Sequence, residues 1–345
     1  MRISYLLLAA LSLLPVACSQ QGGERVELSQ SNVVMGTRVD MIVLTADMVA
    51  GQRALQHAFN EMERVESLLS SHDASSQVSG INQQAGGKPV KIALETLEIL
   101  ERAIGWGQRL DGLFDITTGP LVNAWGFGKD TTSVLPAPDD IARLIALVNF
   151  EFLTLSRADT TARLTRKNAQ IDLGGIAKGY AIDRAVLMLK RGGHDNFLIN
   201  AGGDIYASGR KKLGKKWAVG IQHPRIPRQL CARLELSDGA IATSGDYERY
   251  KIVAGKRFHH IVNPKTGYPG TSNQSATILA PSAEAADVWA TYLFLAGQAA
   301  FEKKVSPADS LLSFLISSSS KIDVDQQLVE SHNFQFDEGF GAGKL

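Results

Sequence analysis

Residues 171–183 read IDLGGIAKGYAID. The stretch brings Asp172 to a predicted strand end, turns on Gly174 and Gly175, and opens a predicted helix near Ile176 that runs to about Lys190. It is neither G-x-G-x-x-G nor a P-loop, so it does not announce a doubly wound nucleotide fold. Downstream, Phe197–Ile199, Trp217–Ile221, Ala232–Leu236, Ala240–Thr243 and Thr277–Leu279 read as strands. Ser282 caps a helix to about Leu295, which Gly297 stops. Upstream, Val33–Leu44 reads as strand, turn, strand around Met35-Gly36-Thr37. Apolar residues at helical spacing predict a helix over Ala46–Leu69 and another over Leu94–Leu110. Asp139–Val148 is a third helix, and Phe152–Leu155 and Ala162–Leu164 are short strands. SSHDASSQVSGIN, between the first two helices, reads as a loop, and nothing clear is patterned beyond Ser317. No regular βαβ period appears. The order predicts an α+β fold of mixed or antiparallel sheets with packed helices.

Three constellations carry chemistry. The first is the glycine turn itself. Exposed N–H groups at a helix start favour a phosphate, and the Gly175 carbonyl could turn toward a cation. Lys178 adds a charge, and a plain strand-to-helix turn is the alternative. The second is Asp287 with Thr291, four apart on a predicted helix and so on one side of it. A carboxylate with a hydroxyl is hard-oxygen ligation of the kind Mg²⁺ takes; a partly exposed Asp or local cap is the alternative. The third is His260 in RFHHIVNPKTG, at the end of a short strand before a turn bracketed by Pro264 and Gly267. A histidine there can accept a proton near neutral pH, or be an ordinary surface or core residue. His259 would point to the opposite face. ATSGDYERY (242–250) and FDITTGPLVNAWGFG (114–128) combine turn formers with hydroxyls or aromatic rings. Met35 could touch a flat ring or fill a gap.

The ends bound the setting. Residues 1–17 carry Arg2, the apolar run Leu6–Leu14 and small residues before Cys18, which reads as a secretory signal with too short an apolar run to span a bilayer. Cys18 followed by Ser19-Gln20-Gln21 reads as a lipoprotein processing site, with the Cys lipidated, although Pro15 stands where such sites usually have Leu. Residues 18–30 then form a polar tether, and residues 31–345 one domain or two closely packed lobes. Cys231 would be left without a disulfide partner, so the core must hold the fold. With 36 basic and 35 acidic residues the net charge is +1, which gives no reason to expect nucleic acid as a partner.

Taken together, MGT at 35–37, FDITTGPLVNAWGFG at 114–128, IDLGGIAKGYAID at 171–183, NAGGDIYASG at 200–209, ATSGDY at 242–247, HHIVNPKTGYP at 259–269 and AADVWAT at 285–291 resemble the ApbE family. Its members are FAD:protein FMN transferases with a T-fold-related architecture. The resemblance runs in order from about Val33 to Gly297. It implies that the chain takes FAD and Mg²⁺, moves FMN to a Thr or Ser hydroxyl of a target flavoprotein, and releases AMP. The target implied is a subunit of a respiratory membrane complex, met on the periplasmic face of a bacterial membrane. The magnesium ligands implied are the Gly175 carbonyl, Asp287 and Thr291. The flavin contacts implied are Met35, Leu113, Phe114, Asp115, Asp172, Lys178 and the Ile261 backbone. His72 falls where the family often has an aromatic residue beside the ring, and Lys178 where it varies between Lys and Glu. His260 would take the proton of the acceptor hydroxyl. An FAD pyrophosphatase and a non-catalytic FAD-binding lipoprotein are the rival readings.

Overall fold

The structure is a computed structural model that describes residues 24–128, 134–338 and 340. The leader and Cys18 lie outside the described residues.

In chain order the elements begin with β1 (Val26–Val34), β2 (Thr37–Thr45), α1 (Met48–Leu69), α2 (Gln77–Gln83), β3 (Val90–Lys91) and α3 (Leu94–Arg109). Then come α4 (Gly119–Ala124), α5 (Pro138–Ile145), β4 (Leu153–Ser156), β5 (Thr161–Leu164), α6 (Ala177–Arg191), β6 (Phe197–Ala201) and β7 (Asp204–Ser208). They continue through β8 (Trp217–Gln222), β9 (Leu230–Leu236), β10 (Gly239–Gly245), β11 (Tyr250–Val253), β12 (Lys256–His259) and β13 (Asn273–Ala280). The last are α7 (Ala283–Ala296), α8 (Gln298–Lys304), β14 (Leu312–Ser317), β15 (Ile322–Val324), α9 (Gln326–Ser331) and β16 (Gln335–Phe336).

The α+β expectation holds. An 8-stranded sheet has the order β1-β2-β6-β7-β10-β13-β14-β15, and each neighbouring pair is antiparallel. Because alternate strand residues face opposite ways, one sheet feeds two cores. Met41, Ala240, Ala242, Ile278 and Leu315 meet the buried faces of α1, α6 and α7. Ile205, Ile241, Leu279, Phe314 and Ile316 meet Trp217, Val219 and Leu234 of the smaller sheet β16-β9-β8. β13 is therefore buried along its whole length. A strand covered on both faces shows no alternation in its sequence.

The MGT hairpin forms as expected, with Met35 and Gly36 at φ of 54° and 69°. Positive φ at both central residues matches the right-handed twist of the flanking strands. Four expectations are corrected. β1 begins at Val26, inside the stretch read as tether, because the pairing of Val26 with Thr45 completes the hairpin. The Ser-rich loop contains α2, started by the Ser76 side chain accepting the Ser79 N–H at 3.0 Å. The expected helix over Asp139–Val148 begins at Pro138 and closes at Ile145. Asp172 follows an isolated bridge at Gln170 and lies in a loop rather than at a strand end. The segment beyond Ser317, which showed no pattern, supplies β15, α9 and β16. Cys231 is buried and unpaired, and burial pushes its thiol up to about 12. Among the described residues no helix is long and apolar enough to cross a membrane.

Candidate active site

The glycine turn, α6 and α7 are locked side by side. A Cβ on Gly179 would sit 2.3 Å from the carbonyl oxygen of Ala283, so glycine alone permits this crossing. The Gly179 N–H, at the start of α6, donates to Asp287 Oδ2 at 3.2 Å. Thr291, one turn further along α7, bonds Ser244 of β10 through their hydroxyls at 3.3 Å. A Cβ on Gly175 would stand 3.5 Å from Thr291 Oγ1 and 3.2 Å from the Phe114 ring. The structure thus gathers Phe114, Gly175 and the α7 pair Asp287 and Thr291 into one corner, and adds Ser244.

Asp287 is 6% exposed. Burial, with the Asp204 carboxyl nearby, pushes its own carboxyl up to about 7. Lys178 forms an ion pair with Asp204, itself buried at the start of β7. Burial opposes the lysine charge, but Asp204 and Asp287 outweigh it and hold the proton above the ordinary lysine range. Burial also raises Glu248, against the pull of Lys178. Asp204 and Glu248 were not singled out from the sequence. The signal available for Asp204 was an acid opening DIYAS, an otherwise strand-like run.

The donor set fits a hard cation. A buried carboxyl that must share Lys178 with Asp204 lies beside a hydroxyl and a glycine backbone, and a metal ion would relieve it. Among the described residues no three of His, Cys, Asp and Glu gather as a metal cluster. A cation here would rest on Asp287, Thr291 and the Gly175 carbonyl.

The two histidines separate as alternation requires. His259 is buried, and its Nε2–H donates to the Gly270 carbonyl at 2.6 Å. Its Nδ1 accepts the Ile261 N–H at 3.3 Å. His260 is half-buried, with Nδ1 at 3.3 Å from the Arg249 carbonyl. A carbonyl only accepts, so Nδ1 carries the hydrogen and Nε2 keeps a lone pair. Burial and the Arg249 charge hold this imidazole below its ordinary range, so it is neutral at pH 7. The following turn is fixed from the end of α4, where the Nε1–H of its C-cap Trp125 donates to the Gly267 carbonyl at 2.7 Å.

Other residues singled out from the sequence are engaged locally. Asp115 is spent on its own loop: Oδ1 accepts Thr117 N–H at 2.7 Å and Oδ2 accepts Phe150 N–H at 2.9 Å. Leu113, just before it, packs half-buried against the main core. Asp172 Oδ1 accepts Gly174 N–H at 2.8 Å and so shapes the glycine turn. Asp172 also lines a cavity of about 230 Å³ with Ser71, Asn82, Asn123 and Gln170. Met35 is tied through its N–H to Glu66 Oε2 at 2.8 Å, and His72 is exposed beside Ser70. Among the described residues no hydrogen bond or ion pair links Met35 or His72 to the Asp287 corner.

An antiparallel sheet with packed helices, a buried hard-oxygen corner and a neutral histidine together match the expectation drawn from the sequence motifs. The chain belongs to the ApbE family, whose model matches residues 35–312. It is similar to a Vibrio cholerae FAD:protein FMN transferase, 32% identical over 296 residues, covering 85% of this chain and 87% of the relative. A Haemophilus influenzae FAD:protein FMN transferase is 32% identical over 305 residues, with 86% and 87% covered. Among solved structures, the ApbE protein of Thermotoga maritima superposes with a TM-score of 0.82 at 29% identity, covering 88% of this chain and 99% of the other. The flavin transferase ApbE of Vibrio cholerae superposes with a TM-score of 0.77 at 27% identity, covering 92% and 99%.

Proposed function

We propose that the chain moves the FMN half of FAD to a Thr or Ser hydroxyl of a target flavoprotein and releases AMP, with Mg²⁺ required. The observation that carries this reading is the buried Asp287 carboxyl, pushed up to about 7 beside Thr291. Magnesium, when bound, would draw charge from the pyrophosphate and the leaving phosphate. Asp287, Thr291 and the Gly175 carbonyl would hold it. The His260 Nε2 lone pair accepts the proton of the acceptor hydroxyl. That oxygen bonds to the FMN phosphorus, the P–O–P link breaks, and AMP leaves with the bridging oxygen. Lys178, fixed by Asp204, keeps a positive charge close to the phosphates. Phe114, close to Gly175, would contact the flavin, with Leu113 and the Ile261 carbonyl as further contacts.

The same proposal has Cys18 lipidated and the enzyme held at the periplasmic face of a bacterial membrane, where its target is a respiratory-complex subunit. The leader and the Cys18 sequence support that setting.

The test mixes residues 19–345 with FAD and Mg²⁺, with and without a candidate acceptor, and follows AMP and protein-bound flavin fluorescence. AMP together with a flavin-labelled acceptor, both abolished by EDTA, is the expected result. AMP without acceptor would make it an FAD pyrophosphatase, and bound FAD without AMP a binding protein.

A further inference from the structure

The loop between β7 and β8 reads GRKKLGKKW over 209–217 and contains no acidic residue. In a chain whose net charge is only +1, this is a local concentration of cations. At its tip Leu213 is 93% exposed, above every other large apolar side chain among the described residues. The loop is held rather than loose. Arg210 Nη1 donates to the Gly214 carbonyl at 2.9 Å, and the Lys211 N–H donates to the Lys215 carbonyl at 2.8 Å. Lys211 lies 5.4 Å over the Trp217 ring, whose Nε1–H is anchored on the Ser208 carbonyl at 3.0 Å. Leu213 takes a left-handed φ of 60°, an uncommon backbone for a leucine. The chain therefore builds an apolar tip and surrounds it with lysines.

The position of this loop identifies its occupant. Lys212 pairs with Glu24 at 3.3 Å and Lys211 with Glu27 at 3.8 Å, so the loop lies against the first described residues. Glu24 is 88% exposed on its side chain, so its pair with Lys212 is a weak surface contact that headgroups can replace. Only Ser19–Gly23 separate Cys18 from Glu24, a span of at most about 20 Å. With a lipid on Cys18, the loop would stand at the bilayer. One apolar side chain among lysines matches an interface in which the tip enters and ammonium groups meet anionic headgroups.

We propose that Arg210–Lys216, with Leu213 at its tip, is a membrane-contacting surface for anionic phospholipid, and that it adds a second contact to the lipid on Cys18. A single acyl chain gives weak, reversible attachment, and a polybasic patch is the kind of second contact that makes it last. The assignment of a bilayer as occupant rests on the lipid-anchor reading, but the loop can be tested without the anchor.

A chain beginning at Ser19 keeps every residue the structure describes. It should sediment with phosphatidylcholine vesicles containing phosphatidylglycerol at low salt and stay in solution with phosphatidylcholine alone. Lys212→Gln and Lys215→Gln should each weaken that binding about fivefold, and Leu213→Ser about tenfold. Equal binding to both vesicle types, or binding unchanged in all three variants, overturns the proposal. So does capture by a soluble polyanion that matches the vesicles and is indifferent to Leu213→Ser. These residues lie outside the active-site corner, so AMP release in solution checks that each variant is folded. The mass of the processed N-terminus reads the Cys18 lipid separately.

Discussion

Asp183 binds α6 to the first turn of α7: its Oδ1 accepts the Ala283 N–H at 2.8 Å and its Oδ2 the Glu284 N–H at 2.9 Å. Those N–H groups belong to a helix start, where no partner within the helix exists. The Ser282 hydroxyl accepts a third, from Ala285, at 3.2 Å. A side chain of the glycine-turn helix thereby sets the position of the helix carrying Asp287 and Thr291.

Asp183→Ala should cost about 1–3 kcal/mol, since buried donors lose their acceptor. Gly179→Ala should cost about as much by forcing the helices apart. Urea denaturation would read both, and unchanged midpoints would show the crossing to be slack.

The Asp287 carboxyl should make metal-free stability fall as pH rises. Its folded value, about 7, lies above the ordinary 3.8, so the folded state binds the proton more tightly than the unfolded chain does. The loss therefore accumulates between about pH 4 and 7. Asp183, pushed up to about 6 by burial, adds to the same slope. Millimolar Mg²⁺ should restore stability above pH 7 and do nothing for Asp287→Asn. Melting curves across pH, with and without Mg²⁺, decide it. A wild-type response to Mg²⁺ in that variant would remove Asp287 from the ligands.

His260→Gln should retain FAD binding and lose transfer by about 10²–10⁴-fold, the range for a positioned base. Equilibrium FAD titration beside a rate assay separates the two. Transfer at the parent rate would assign the proton to another group.

Trp125→Phe keeps the ring against Phe258, stacked at 5.3 Å, but removes the bond to Gly267. It should cost about 1 kcal/mol. It should also slow transfer more than it weakens FAD binding, because the turn after His260 loses its brace. An equal fall in both would place the turn in FAD binding instead.

What the sequence disclosed followed from local chemistry. α1 was readable because it buries Leu55, Met62 and Val65 on one face and exposes the other. The Met35-Gly36 turn was readable because its neighbours are β-branched. α2 was hidden because its position comes from tertiary bonds: Asn82 Nδ2 donates to the Ile171 carbonyl at 2.9 Å, and its Oδ1 accepts the Ile171 N–H at 2.7 Å. β16 is two residues long and exists by pairing with β9, about which its own sequence says nothing. In the active-site corner, the Asp287–Thr291 spacing was visible because a helix repeats. The Lys178–Asp204 ion pair was not, because nothing local joins a helix start to a strand start. The engagement of Asp115 could have been read from Asp-Ile-Thr, the pattern in which a carboxylate bonds the N–H two residues on.

The β8–β9 hairpin connects two of the features described above. At one end of β8 is the lysine-ringed leucine; beyond the other, Arg225 grips Asp246 at 2.7 and 2.8 Å, next to the strand that carries Ser244. The 6 residues of β8 span about 20 Å. On a membrane, a strand of that kind would work as a gauge. If the loop rests on lipid as proposed, the Asp287 corner would stand at a set elevation, and a protein would qualify as a target by the height at which it displays its hydroxyl as much as by the sequence around it.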